Sequence, residues 1–183
     1  RWISDYELFS RADDSIYDTL TGNTTKISNY TFDFYSRDLR YGAVYKLLPE
    51  YHRTPDYWLF TVNITDISKH KNYTVGLPAN RELTSFKWSH GSAYTFVLNK
   101  DIYYVASPGK KPIKITNSKK SKMFYAENSY MANGELWDEY DWEEGSMWFS
   151  PSDMFLAYTS EPVNSLKKVL LTTYNRTEKF DYN

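Results

Sequence analysis

The chain has 183 residues with 22 basic and 23 acidic side chains, so its net charge is −1 and its pI is about 6.4. This balance lacks the basic surface that collects phosphates, which excludes a nucleic-acid binder. Aromatic residues make up 19% of the chain, with 18 Tyr, 10 Phe and 6 Trp, and this excludes a disordered or low-complexity chain. The sequence therefore predicts a folded protein.

Runs of β-branched and aromatic residues, separated by turn formers, dominate the chain, and helical periodicity is weak. This spacing predicts antiparallel meanders rather than alternating strands and helices. The predicted strands, in chain order, are Glu7–Ser10, Ser15–Asp18, Lys26–Ser28, Ala43–Leu48, Trp58–Ile64, Ser85–Trp88, Ala93–Leu98, Ile102–Ala106, Ile113–Thr116, Met147–Phe149, Phe155–Thr159 and Val169–Tyr174.

An internal repeat indicates how these strands are organised. The segment FKWSHGSAYTFV (Phe86–Val97) aligns without gaps on MWFSPSDMFLAY (Met147–Tyr158), and a fainter copy, RWISDYELFS, opens the chain. In each copy an apolar residue and a serine end one strand, a tight turn follows, and the next strand returns beside it. Three such hairpins predict propeller blades of roughly 45–60 residues. A β-sandwich whose hairpins share turn chemistry is the alternative.

The numbers of cysteines, histidines and N-x-[ST] sequons limit the possible cofactors and indicate the cellular location. Cysteine is absent and the three histidines have no metal-ligand spacing, so no disulfide, metal or cofactor is expected. No apolar run reaches the roughly 20 residues of a membrane span, and the first residues lack a signal-peptide pattern. N-x-[ST] sequons favour an extracellular or cell-surface location, with a signal or anchor segment absent from this chain and chance composition as the alternative. They lie at Asn23, Asn29, Asn63, Asn72 and Asn175.

An ordered series of segments resembles a known family. RWISDYELF, NYTFDFYS, LTSFKWSHGSAYTFVLNKDIYYV, NGELWDEYDWEEG and MWFSPSDMFLAYTS are similar, in order and approximate spacing, to the N-terminal β-propeller of dipeptidyl peptidase IV-like proteins, in the prolyl oligopeptidase class of serine peptidases. In that family an eight-bladed propeller covers an α/β-hydrolase domain, and the two release Xaa-Pro or Xaa-Ala dipeptides from peptide N termini. The resemblance implies an all-β fold in which residues 1–183 form antiparallel four-stranded blades of a partial ring, about half of the propeller.

A catalytic nucleophile is missing from the sequence. The serine of an α/β-hydrolase lies in a G-x-S-x-G elbow, and no glycine pair of this chain brackets a serine in that way. Ser89 and His90 are adjacent on a predicted turn and are interpreted as turn residues. The chain alone is therefore predicted to be inactive.

The resemblance also implies the partners. They are peptide N termini, the rest of the propeller and a hydrolase domain, with a homodimer left open for the full-length form. The alternative function is a non-catalytic binding protein similar to the peptidase-like auxiliary subunits of ion channels.

An acidic segment spans residues 135–144, in which six of ten residues are Asp or Glu and Trp137, Tyr140 and Trp142 lie between them. A solvated loop is one interpretation. A site for a peptide amine is the other, because carboxylates accept charge-assisted hydrogen bonds from an ammonium group and aromatic faces attract cations.

The resemblance suggests which carboxylates such a site would use. In the family a Glu-Glu pair shortly after an Asp-Trp binds the substrate amine, and the segment is a few residues shorter here. Glu143 and Glu144 match if the deletion follows the pair, and Asp138 and Glu139 match if it precedes it; the first pair is favoured. Arg53 matches a family arginine that reaches the substrate carbonyl, which suits its planar donor fork. The lysine-rich stretch GKKPIKITNSKKSK is interpreted as a solvated hairpin.

Overall fold

A computed structural model describes residues 1–47, 60–75, 83–126 and 146–162. In these ranges the chain is almost entirely β, as predicted, with one helix of four residues, α1 (Ser118–Ser121). The strands are β1 (Glu7–Ser10), β2 (Ser15–Asp18), β3 (Thr24–Lys26), β4 (Phe34–Tyr35), β5 (Tyr41–Leu47), β6 (Phe60–Asp66), β7 (Lys71–Thr74), β8 (Ser85–Trp88), β9 (Tyr94–Leu98), β10 (Asp101–Val105), β11 (Ile113–Lys114), β12 (Met123–Tyr125), β13 (Met147–Phe149), β14 (Leu156–Tyr158) and β15 (Ser160–Pro162).

Most predicted strands are confirmed, and β1, β2, β8 and β13 have the predicted bounds. The prediction for β3 was wrong by two residues, because β2 pairs Ser15 with Lys26 and Tyr17 with Thr24. Strands β4, β7, β12 and β15, which have two to four residues, were not predicted. The predicted strand Val169–Tyr174 lies outside the described residues.

The strands form antiparallel meanders. The first sheet has the order β1-β2-β3, the second β4-β5-β6-β7 and the third β11-β10-β9-β8. Strands that are neighbours in these sheets are also consecutive in the sequence, because a short turn is enough to join two antiparallel strands. Two sheets have the predicted four strands, and the described part of the first has three. In the fourth group β13 pairs with β14, and β12 pairs with β15.

Successive sheets pack face to face through separate hydrophobic cores. Alternation along β9 places Tyr94, Phe96 and Leu98 on one face of the third sheet and Val97 on the other, and all four are buried. The first face meets Val62 and Ile64 of the second sheet, among others. A blade that has another blade on each side needs strands that are buried on both faces, and β9 is such a strand.

Two further cores extend the series in both directions. Phe9 of the first sheet packs with Phe32, which lies next to the second sheet, and with Tyr35, which belongs to it. On the far face of the third sheet, Val97 and Ile102 pack with Ala126 and Met147 of the fourth group. The sheets are therefore stacked in chain order, each against the next, as blades are in a propeller.

Aromatic side chains fill the core between the second and third sheets. Trp88 stacks on Tyr41 with ring centroids 6.2 Å apart and meets Tyr94 edge-on at 5.4 Å. Phe96 stacks on Tyr103 at 5.3 Å with an interplanar angle of 6°. Aromatic pairs of this kind contribute about 0.5–1.5 kcal/mol each beyond the area they bury, which explains part of the high aromatic content of the chain.

Gly42 is expected to tolerate no side chain. A Cβ atom built on Gly42 would overlap the ring of Phe32, which is packed against Phe9 and Tyr35. We expect Gly42→Ala to lower the free energy of unfolding by about 1–3 kcal/mol through overpacking, measured by urea unfolding. Gly91→Ala is the control, because the nearest atom to its Cβ would be 3.6 Å away. Equal losses in both variants would contradict the prediction.

Candidate functional site

The predicted substrate-binding residues all lie outside the described residues: Glu143, Glu144, Asp138, Glu139 and Arg53. The structure describes Ala126 and Ser146, which flank the stretch 127–145 that contains the acidic segment. The Ala126 N–H donates to the carbonyl oxygen of Thr159 at 2.9 Å, and the Thr159 N–H donates to the carbonyl oxygen of Ser146 at 3.1 Å. One residue, Thr159, therefore ties both residues that flank this stretch to the fourth group of strands.

The extended stretch from β14 to β15 organises this attachment. Its first half pairs with β13 and its second half with β12, so that Met147 lies opposite Tyr158 and Tyr125 lies opposite Ser160. In a strand, the N–H and C=O of one residue point to the same side. β12 and β13 therefore lie end to end along one side of that stretch. In the chain, the stretch 127–145 connects the end of β12 to the start of β13.

The attachment points are anchored to the third sheet. Ala126 and Met147 are buried with Val97 and Ile102. Ala126 also has a φ of +50°, a left-handed conformation that ends β12 and that an alanine adopts at some cost. The chain on either side of the stretch 127–145 is thus held by hydrogen bonds to Thr159 and by a hydrophobic core.

A second cluster joins the turns that close the hairpins of the third sheet and of the fourth group. Asp153 Oδ1 accepts from the His90 N–H at 2.8 Å and lies 3.0 Å from His90 Nδ1, and its Oδ2 accepts from the Gly91 N–H at 2.9 Å. Burial raises the pKa of Asp153, but the hydrogen bonds from His90, Ser89 and Gly91 outweigh it and hold the pKa below its ordinary value. The carboxylate therefore ties one turn to the next as an anion.

The second sheet is tied to the third in a similar way. Asp38, in the turn between β4 and β5, accepts from Ser92 Oγ at 2.6 Å and from Ser36 Oγ at 2.6 Å. Burial raises the pKa of Asp38, and the bonds from Ser36, Ser92 and the Arg40 N–H lower it by more. Three consecutive blade hairpins are therefore linked in series by aspartates in their turns. The repeated serine turn had been predicted; the links between turns had not.

Ser89, His90 and Asp153 are close together but do not form a catalytic triad. A triad needs the serine hydroxyl to donate to the imidazole, whereas the Ser89 side chain bonds the Asp153 carboxylate and its Oγ accepts from the Gly91 N–H at 3.0 Å. Ser89 is also buried, which removes it from a substrate. Its prediction as a turn residue is confirmed.

The lysine-rich stretch surrounds a buried carboxylate. Asp101 binds Lys114 Nζ at 2.6 Å through Oδ2, and its Oδ1 accepts from the Ser118 N–H at 2.6 Å. Burial raises the pKa of Asp101, but these contacts and a bond from Thr116 hold it below its usual value. The stretch contributes β11 and α1, and its lysines are exposed, in agreement with a solvated hairpin.

Comparison with known proteins assigns the family. A model of the dipeptidyl peptidase IV N-terminal region matches residues 36–182. The chain belongs to this family. The match covers β5, β6 and β7 of the second sheet, the third sheet and the fourth group, so these sheets are β-propeller blades of a dipeptidyl peptidase IV N-terminal region. Comparison with curated proteins gives no match.

The described sequons of this dipeptidyl peptidase IV-family chain are all exposed. Asn23, Asn29, Asn63 and Asn72 lie at the surface, and Asn175 lies outside the described residues. Across the four described ranges, no three carboxylate or imidazole groups are placed to hold a metal ion. No helix within those ranges is long and apolar enough to cross a bilayer.

The link through Asp153 leads to a prediction for the pH dependence of stability. At neutral pH we expect Asp153→Asn to lower the free energy of unfolding by about 1–2 kcal/mol, because the amide nitrogen would face the N–H of His90 or Gly91 and leave a donor unpaired. The folded-state pKa of Asp153 is depressed, so its contribution is present above the unfolded pKa of about 3.9 and is lost as pH falls through the folded pKa.

The measurement is urea unfolding of both proteins from pH 7 to pH 2. The difference between them should be constant near neutrality and shrink below about pH 3.9. Asp13→Asn serves as the control, since Asp13 is an exposed aspartate with one side-chain hydrogen bond, to Ser10. A difference that does not change with pH would contradict the role given to the Asp153 carboxylate.

Proposed function

We propose that this chain is the propeller portion of a dipeptidyl peptidase IV-like serine exopeptidase that acts outside the cell or at its surface. Its function is to recognise the free N terminus of a peptide whose Xaa-Pro or Xaa-Ala dipeptide is then released. The nucleophile and its partners belong to a hydrolase domain, because the chain contains no G-x-S-x-G elbow. The rest of the propeller is the other partner.

The family match is the observation that carries this proposal, and the attachment of the acidic segment supports it. A recognition group is effective only if its position is defined to within a fraction of an ångström. Ala126 and Ser146, which flank the stretch that contains this segment, are both bonded to Thr159, and Ala126 and Met147 are buried. This base is suited to a segment whose carboxylates have to meet a small ammonium group.

Glu143 and Glu144 are the proposed amine ligands. Each supplies an ionised carboxylate at neutral pH, and together they can accept two or three hydrogen bonds from one ammonium group. Trp142 precedes them directly, and an indole excludes water and favours a cation. Asp138 and Glu139 are the alternative pair, and Arg53 is proposed to hold the substrate carbonyl.

Hydrolysis of a Gly-Pro chromogenic substrate tests the proposal. We expect turnover by the full-length protein, encoded by the complete reading frame, and none by the chain of 183 residues alone. Turnover by the chain alone would contradict the assignment of catalysis to another domain. A full-length protein that is inert despite an intact elbow would contradict the peptidase function. A replaced elbow serine would instead favour the non-catalytic binding protein.

A further inference from the structure

Two of the exposed sequons lie opposite each other on the second sheet. The register of β6 and β7 places Asn63 across from Thr74 and Thr65 across from Asn72. Asn63-Ile64-Thr65 and Asn72-Tyr73-Thr74 are the two sequons, so each asparagine faces the hydroxyl residue of the other. Because directly opposed residues share a face of a sheet, all four side chains lie on one side.

That side is the solvent side of these strands. Ile64 is buried and Tyr73 packs against the same core on the opposite face, whereas Asn63, Asn72 and Thr74 are exposed. On the neighbouring strand Val44 lies opposite Asn63 and is 41% exposed. The surface around the two asparagines is therefore accessible and includes apolar area that nothing in the described residues covers.

A hydrogen bond joins the two sequons in the folded sheet. Thr65 Oγ1 donates to Asn72 Oδ1 at 2.9 Å. A glycan is attached to the other amide atom, Nδ2, so the bond from Thr65 persists in the modified side chain. Thr65 thus has two roles: its hydroxyl completes the sequon of Asn63, and it fixes the amide plane of Asn72.

The location of the pair in the sheet suggests what the glycans do. In the described residues β7 is an edge strand of the second sheet, and an exposed edge offers unpaired backbone groups to another chain. A bulky, solvated group on Asn72, with a second one on the adjacent strand, would prevent such pairing and cover Val44.

We infer that Asn63 and Asn72 form a paired N-glycosylation site that protects the β7 edge from association with other strands. The inference rests on the extracellular location in the proposed function. The co-reactant is a polyprenyl-pyrophosphate-linked oligosaccharide of the secretory pathway. The bond between sugar C1 and the pyrophosphate oxygen breaks, C1 bonds to Asn Nδ2, Nδ2 loses one proton, and polyprenyl pyrophosphate leaves.

Site occupancy is measured by mass spectrometry after enzymatic deglycosylation of the full-length protein from secretory cells. We expect glycans at both Asn63 and Asn72. Thr65→Val should abolish the glycan at Asn63 and retain the one at Asn72, and Thr65→Ser should retain both. Glycans at Asn23 or Asn29 with none at Asn63 and Asn72 would overturn this inference and leave the location intact. An unmodified protein would overturn both.

Sedimentation of the secreted protein tests the protective role. The double variant N63Q/N72Q should form more higher-order species than N23Q/N29Q, which removes the same number of sequons elsewhere in the described chain. Equal sedimentation of the two double variants, once the glycans are shown to be absent, would overturn the protective role. Thr74→Ala, which removes only the Asn72 sequon, should give an intermediate amount of association.

Discussion

Replacement of Glu143 and Glu144 by glutamine is expected to lower kcat/KM for a Gly-Pro chromogenic substrate by at least about 100-fold in the full-length protein, since hydrogen bonds to charged groups contribute about 1.5–3 kcal/mol each and two such groups are changed. Glutamine keeps the size of the side chain but lacks the negative charge that an ammonium group requires. The amine is bound in both the ground state and the transition state, so most of the loss should appear as a higher KM. Initial rates over a range of substrate concentrations provide both constants.

The matched control is D138N/E139Q, which removes two charges from the same acidic segment. If Glu143 and Glu144 bind the amine, this control should change kcat/KM by only a few-fold, through the weaker long-range attraction of a cation. A second readout is the preference for a free over an N-acetylated substrate, which the double glutamine variant should lose. A large loss in the control alone would transfer the amine site to Asp138 and Glu139.

The hairpins could be predicted from the sequence because their signal is local. An apolar residue, a serine and a turn former recur before each returning strand, and β8 and β13 end at Trp88 and Phe149 as this pattern requires. Asn99 and Lys100 both have positive φ, which is typical of the two-residue turns that join adjacent strands. The all-β fold follows from several such hairpins in series.

The links between hairpins could not be predicted, because they join residues far apart in the chain. Asp38 and Ser92 are 54 residues apart, and His90 and Asp153 are 63 apart. An aspartate in a turn is common for local reasons, since it bonds its own backbone. Only the packing of successive sheets brings each carboxylate to the next turn.

The attachment of the acidic segment was also hidden in the sequence. It depends on the pairing of β12 with β15, two three-residue strands that lie far apart in the chain. Met123 pairs with Pro162, 39 positions later, and Tyr125 pairs with Ser160, 35 positions later. A proline at a strand end argues against a central strand. The composition of the segment suggested an amine site, and the structure adds how its two ends are held.

Phe96→Ala is expected to lower the free energy of unfolding by about 3–5 kcal/mol, because it removes a large buried side chain and leaves a cavity. Phe96 is completely buried between the second and third sheets and stacks on Tyr103. The loss tests whether the core between blades, rather than the hydrogen bonds within each blade, determines their stability. It is measured by urea unfolding of the full-length protein, followed by tryptophan fluorescence, to which Trp88 in the same core contributes.

Two variants separate the cavity from other effects of the substitution. Phe96→Leu keeps much of the volume and should cost less than about 1.5 kcal/mol if the core can adjust. Leu20→Ala removes an apolar side chain that is 70% exposed and should change the stability by no more than about 0.5 kcal/mol. Each blade shares its faces with its neighbours, so the loss at Phe96 should also shift the unfolding of the second sheet, seen as faster amide hydrogen exchange at Val62 and Ile64. Exchange that increases only in the third sheet would show that the blades unfold independently and that the core between them is not the cooperative unit.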